Sequence, residues 1–440
     1  MQIADIRNKK YTLLPAMYFI YSLFFGICLL LVFPYYLLRF RKYLPTLADR
    51  MGFLKVNLNR SIWIHAVSVG EVKAIENLLE GLGKRLNGRP IVVSTTTPTG
   101  QRLARQRTDI VHSTFYFPFD LPGCVRRALD RVRPEMVIIA ETEIWPNFLR
   151  ECRRRRIPVF MINGRISDRS FSRYRLVRRW LPRVLADYTL LGMQSETDRR
   201  RMEILGADPG KLLVLGNLKF DGTTSERSTE PGLAGLLQEW HAIWIAASTM
   251  QGEEELVLDA FAQARSGHPD LKLIIAPRHP ERCGEVEEII KARGLRFIRR
   301  TSLPSPQKPE ARYATMECEG LLLDTIGELA AIFEYATVVF MGGTLVPRGG
   351  HNILEPARHR KPVIFGPHME NFRDIARLFL DGAAAIQVRD ATELGRTVSK
   401  LLSDTALAAA LGTAARGIVD QNTGATERVL RILKPVGADQ

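Results

Sequence analysis

Nowhere in these 440 residues do two cysteines stand as Cys-x-x-Cys. The five that occur (Cys28, Cys124, Cys152, Cys283, Cys318) are scattered, which excludes the usual zinc spacing and a disulfide framework and fits a reducing compartment. Charge is missing from residues 13–38, and lysine from residues 121–201. What remains is ordinary globular composition, 46% hydrophobic and 25% charged, so a disordered chain is excluded. At this length one core stops growing, and two domains are expected.

The uncharged run 13–38 is long enough to cross a bilayer. Tyr18, Tyr21, Tyr35 and Tyr36 lie toward its ends, where amphipathic rings favour headgroups, and Pro34 would kink it. Arg39, Arg41, Lys42 and Arg50 place the following chain on the cytoplasmic side, with Arg7, Lys9 and Lys10 pulling the other way. No small-residue cleavage site follows, so an uncleaved membrane anchor is expected over residues 1–42. A helix lying in one leaflet is the other reading of the same run.

Beyond it, apolar runs alternate with amphipathic segments. The first series comprises 62–67, 91–93, 136–140, 159–162, 188–191 and 212–215; the second comprises 243–247, 271–276, 321–323, 337–340, 362–365 and 384–388. Short apolar strands separated by helices are the pattern of a parallel sheet covered on both faces. A stretch rich in Ser, Thr, Gly and Pro, 221–232, reads as the linker. The fold class is therefore α/β, with doubly wound domains over 43–221 and 222–440 that face one another across a cleft. Ligands in such sheets bind beyond the carboxyl ends of the strands.

The densest glycine stretch lies at such an end. Residues 341–356 contain Gly342, Gly343, Gly349 and Gly350, then Asn352, Glu355 and Pro356 at the opening of a helix. Glycines let backbone approach a ligand, and a helix start offers unpaired N–H groups to an anion. Glu355 could accept the hydroxyls of a ribose beside that phosphate, or Asn352 and Glu355 could form a capping box that needs no ligand. Arg278 leaves another strand end of the same domain and suits a phosphate, whereas Arg282 reads as solvated on its helix and His279 as structural. In the first domain Glu71 opens a helix after a strand; it either stabilises that helix end or, if burial raises its pKa, acts as a general base. Glu141 and Glu143 follow a wholly apolar strand, with Trp145 read as packing and Pro146 as a helix starter.

Residues 121–201 carry nineteen arginines against nine acids, densest at 153–156 and 165–179. Solvated helix faces account for part of this, and nucleic acid is one partner for the rest. Anionic lipid fits better, because the same domain follows directly on the apolar run.

Six stretches together resemble the bacterial Kdo transferases: 68–71 (SVGE), 141–147 (ETEIWPN), 163–167 (NGRIS), 216–221 (GNLKFD), 277–282 (PRHPER) and 349–356 (GGHNILEP). They stand in the family's order across nearly the whole chain. Those enzymes move 3-deoxy-D-manno-octulosonic acid (Kdo) from CMP-Kdo onto the lipid A precursor, lipid IVA, in lipopolysaccharide assembly. The resemblance implies a GT-B glycosyltransferase fold, an inverting reaction without metal or cofactor, and attachment to the cytoplasmic face of the inner membrane. It implies that Glu71 is the general base and that Pro277, Arg278, Gly349, Gly350, Asn352 and Glu355 form the donor site. Ser68, Gly70, Glu141, Arg165, Ser248 and Thr249 would be further cleft or acceptor residues. Its partners would be CMP-Kdo, the lipid A precursor and anionic lipid, not nucleic acid. Met250 departs from the family, which has histidine there. The absence of any Asp-x-Asp pair agrees with a donor site that uses no divalent ion. The alternative readings are another membrane-associated GT-B transferase or a nucleotide-sugar epimerase, and a nucleic-acid-binding protein that uses the arginine face alone.

Overall fold

A computed structural model describes residues 17–32, 41–86, 88–222, 229–303 and 318–433. They form two compact units. The first carries β1 (Ser61–His65), β2 (Ile91–Thr95), β3 (Val111–Tyr116), β4 (Pro134–Ala140), β5 (Val159–Gly164), β6 (Leu190–Met193) and β7 (Leu212–Val214). These pair in the order β3-β2-β1-β4-β5-β6-β7, all parallel. The second carries β8 (Ala242–Thr249), β9 (Leu271–Pro277), β10 (Phe297–Arg299), β11 (Gly320–Leu322), β12 (Val338–Met341), β13 (Val363–Phe365) and β14 (Ala385–Gln387), in the order β10-β11-β9-β8-β12-β13-β14, again all parallel.

The apolar runs become strands because both faces of each sheet are covered. In β1, Ile62 and Ile64 join one core layer with Ile91, Val93, Met136 and Ile138, while Trp63 joins the opposite layer with Val92, Val137 and Ile139. That division is the two-residue strand period carried into packing. In each unit the order reverses beside a central strand, between β1 and β4 and between β8 and β12. Such switch points open a crevice at the carboxyl ends. Every apolar run named above has become a strand, and two further strands, β3 and β10, are the outermost strands of their sheets.

The boundary differs from the expected one at its far end. The second unit closes at Asn422, and the chain returns to the first through the helix Ala425–Ile432. Ala425, Val429 and Leu430 enter the core layer that contains Ile62 and Ile64. Gly81 makes this possible, since a Cβ there would lie 2.4 Å from Leu430. The Asp221 carboxylate accepts the amides of Gly424 and Thr426, and Arg428 Nε donates to the Leu215 carbonyl at 2.8 Å. Asp221 thus serves as the clasp for this helix.

Of the expected anchor, residues 17–32 are described and form a helix; Pro34, Tyr35, Tyr36 and the flanking Arg7, Lys9, Lys10 and Arg39 lie outside the described residues. Among the described residues no helix is long and apolar enough to cross a membrane. Tyr18, expected near headgroups, is buried instead, where its hydroxyl donates to Asp187 at 3.3 Å and Arg150 lies 4.4 Å over its ring. Asn147 Nδ2 donates to Ser22 Oγ at 3.0 Å. The opposite face exposes Phe19, Leu23, Phe24, Ile27, Leu30 and Leu31.

Candidate active site

In the first unit the polar residues gather at the switch point. Glu71 lies in the first turn of the helix Val69–Ala74, which follows β1. It is 8% exposed, and its carboxylate accepts the Val67 amide at 2.7 Å and the Ser68 hydroxyl at 3.0 Å. The Ser-x-x-Glu spacing therefore builds a local clasp at the strand-to-helix junction. Burial, then repulsion from Glu141, pushes the Glu71 carboxyl up to about 7. Glu143 rises to about 7 for the same two reasons. His65, the last residue of β1, is fully buried and stacked on Phe117 at 4.0 Å. Burial lowers its pKa to about 3, so it stays neutral at neutral pH.

Glu141 follows β4 with φ +63°, and Asn163 in β5 has φ +55°. Left-handed backbone at a non-glycine residue costs energy and collects at functional strand ends. Glu141 Oε1 lies 4.0 Å from Lys219 Nζ. Thr142 ties the neighbouring loop down: its hydroxyl donates to the Arg165 carbonyl at 2.6 Å and accepts the Arg165 amide at 2.8 Å. Asn163 Oδ1 accepts the Leu218 amide at 3.0 Å, which brings the 216–221 stretch to the same strand ends. Ser68, Gly70, Glu71, Glu141 and Arg165 thus belong to one set of carboxyl-terminal junctions. A carboxyl that titrates near neutrality can hold or take a proton there.

The second unit repeats the plan at its own switch point. Ser248, at the end of β8, has φ +57° in a register shift against β9, and Arg278 N–H donates to the Thr249 carbonyl at 2.9 Å. Ser248 and Thr249 therefore stand beside Arg278 in the second unit. Thr249 is fully buried and its hydroxyl donates to Glu254 at 3.0 Å, so it offers no group to a ligand. Pro277 ends β9, and Arg278 beyond it is exposed, with no hydrogen bond or ion pair to its side chain among the described residues. Arg282 is not solvated as expected: it donates to the buried Glu254 at 2.8 Å and to Glu285 at 3.2 Å. Of the two arginines, only Arg278 keeps its fork for a ligand.

After β12 the glycine turn takes positive φ at Gly343, Gly349 and Gly350. A Cβ at Gly350 would lie 2.5 Å from Met369 Sδ, so close packing as well as φ requires glycine. The Gly350 amide, expected at a phosphate, donates to the Gly343 carbonyl at 2.9 Å. Ahead of the helix Leu354–Arg358, half of the expected capping box forms: Asn352 caps the first turn, while Glu355 bonds the Asn352 side chain. Asn352 Oδ1 accepts the Leu354 amide at 3.1 Å and its Nδ2 donates to Glu355 at 3.1 Å. The two side chains set each other's direction. Among the described residues no group of acids, histidines and cysteines has metal-binding geometry.

Residues 45–222 match the family model for 3-deoxy-D-manno-octulosonic-acid transferase (kdotransferase). The chain is 34% identical to the 3-deoxy-D-manno-octulosonic acid transferase of Haemophilus influenzae over 90% of its length and 92% of that protein's. With the enzyme of the same name from Bordetella pertussis it shares 32% identity over 85% of this chain and 86% of the relative. A glycosyltransferase from Rickettsia africae has the same fold at 14% identity, with a TM-score of 0.51, over 85% of this chain and 96% of that one. Two parallel seven-stranded α/β units agree with that GT-B class. By sequence along almost its entire length, this chain belongs to the 3-deoxy-D-manno-octulosonic acid transferase family.

Proposed function

We propose that the chain transfers Kdo from CMP-Kdo to a hydroxyl of the lipid A precursor, with inversion at the anomeric carbon. The observation that carries this reading is Glu71, a buried carboxyl at a switch point whose proton affinity sits near neutrality. As carboxylate it takes the proton of the acceptor hydroxyl. The freed oxygen forms its bond to the anomeric carbon from the face opposite the CMP phosphate, and the carbon–oxygen bond to that phosphate breaks. The electron pair leaves on phosphate, where Arg278 balances the new charge without a metal ion. Incubation with radiolabelled CMP-Kdo and lipid A precursor, then thin-layer separation, tests it: labelled lipid is expected. An altered sugar nucleotide without labelled lipid would favour the epimerase reading.

Glu355→Ala is expected to weaken CMP binding, measured by calorimetry, by at least roughly tenfold, since a hydrogen bond to a charged group contributes ~1.5–3 kcal/mol. Stability should change by less than about 1 kcal/mol, because the cap on the Leu354 amide comes from Asn352 and remains. Unchanged affinity would leave Glu355 with its Asn352 contact alone.

We further propose that the protein works at the cytoplasmic face of the inner membrane. Arg173, Arg175, Arg178 and Arg179 are exposed around Leu176, Val177 and Trp180, which are 86%, 44% and 48% exposed. Cations beside apolar side chains suit an anionic headgroup layer. Replacing the four arginines by glutamine should weaken binding to anionic vesicles by about 1 kcal/mol each and flatten its salt dependence. Equal binding by the substituted chain would assign membrane contact to the apolar helix face.

A further inference from the structure

Glu253 is fully buried just before the helix Glu254–Gly267. One carboxylate oxygen accepts the amides of Thr344 and Leu345, both at 2.8 Å; the other accepts those of Gly343 at 2.5 Å and Met250 at 3.0 Å. Four amides converging on one anion is how backbone builds a phosphate cradle. Here the chain supplies the anion itself.

The glycine stretch is therefore two structures in series. In the first, residues 342–345, the amides of Gly343, Thr344 and Leu345 are committed to Glu253. The Thr344 hydroxyl donates to the Met341 carbonyl at 2.6 Å and accepts the Gly366 amide at 2.7 Å. Gly342 packs on the end of β8, where a Cβ would meet the Ser248 carbonyl oxygen at 2.6 Å. The second, residues 349–355, hangs from the first through the Gly350 to Gly343 bond and from the loop beyond β13 through the Asn371 amide on the Gly349 carbonyl at 2.9 Å. The next residue, Glu254, holds Thr249 at the end of β8 and Arg282 four residues beyond Arg278.

We propose that Glu253 is a positioning residue of the donor site: its carboxylate occupies the first half of the glycine turn in place of a phosphate and so confines the donor's phosphate to the second half and Arg278. An incoming phosphate could use the first half only by expelling a carboxylate held by four hydrogen bonds. This inference rests on the donor being a cytidine monophosphate sugar.

Hydrogen exchange on the full chain, with and without CMP, tests it. The amides of Gly343, Thr344 and Leu345 should be as protected as those of β12 without ligand and gain nothing from CMP, while protection rises within 349–355. Glu253→Gln, which keeps the size but turns an N–H₂ toward amide donors, should raise the CMP dissociation constant and the KM for CMP-Kdo on the order of tenfold. It should leave kcat and the acceptor KM within about threefold, a split that general loosening of the fold would not give. Fast exchange at 343–345 without ligand, new protection there with CMP, or wild-type CMP affinity in the variant would each overturn the assignment. If the variant does not fold, the exchange pattern of the wild-type chain decides. A wild-type chain that ignores CMP while 343–345 stay protected would refute the donor reading, and with it the phosphate role, but leave the internal clasp standing.

Discussion

Glu71→Gln is expected to lower the transfer rate by roughly 10²–10⁴-fold while CMP affinity stays near wild type, because the substitution removes a general base and leaves the donor unit untouched. Glutamine keeps an oxygen for the Val67 amide, so the loop should hold its shape. The melting temperature should move little, as an acid at a helix start contributes only about 0.3–1 kcal/mol. A pH profile supplies the second arm. The carboxyl must be ionised to work and titrates at about 7, so kcat/KM should fall as pH drops through 7. Glu141→Gln removes the second cause of that raised value and should move the acid limb to lower pH. The stability sign is opposite to that of activity. A carboxyl whose pKa is higher folded than unfolded binds its proton more tightly in the native state, so its contribution declines as pH rises from the unfolded value of 4.5 toward 7. An active Glu71→Gln variant would leave Glu71 as a helix-end clasp and make Glu141 or Glu143 the base to test.

Arg278→Ala should give the second large effect, a loss of CMP affinity of roughly 10- to 150-fold, as expected when a charged hydrogen-bond partner worth ~1.5–3 kcal/mol is removed. The fold should not notice, since the side chain is exposed and holds nothing among the described residues. Arg282→Ala is the control with the opposite signature. It leaves the buried Glu254 carboxylate without its cation, so stability should fall while any loss of CMP affinity follows from disorder in the loop. Calorimetry with CMP and thermal melts on both variants separate the two. If Arg278→Ala bound CMP normally, the leaving phosphate would have to find its charge elsewhere.

What could be read from sequence follows from where each signal resides. Most strands announce themselves as apolar runs, and even the edge strands β7 and β14 keep one despite exposed positions; β3 and β10, the edges opposite them, admit polar residues such as His112, Ser113, Thr114 and Arg299 and so stay silent. Glu71 is legible by its place after a strand, but the shift that fits it for proton transfer comes partly from Glu141, seventy positions away. Arg282 is taken up by Glu254, twenty-eight positions back, and the amides of Gly343, Thr344 and Leu345 by Glu253, ninety and more positions away. No local spacing encodes such partners. The return of the helix Ala425–Ile432 is likewise silent, because an amphipathic helix shows that it packs and not on which sheet.

That return makes the second unit an insertion within the first, with consequences for synthesis on the ribosome. Residues Thr223–Asn422 form a contiguous unit that can be completed as soon as it emerges. The unit that begins the chain cannot: Ala425, Val429, Leu430 and Leu433 complete its core, and Asp221 waits for Gly424 and Thr426. At roughly 5–20 residues per second, the intervening chain takes on the order of 10–40 seconds to make. For that interval the hydrophobic seat of Leu430 beside Gly81 stays open, and the earlier-made unit is the later one to close.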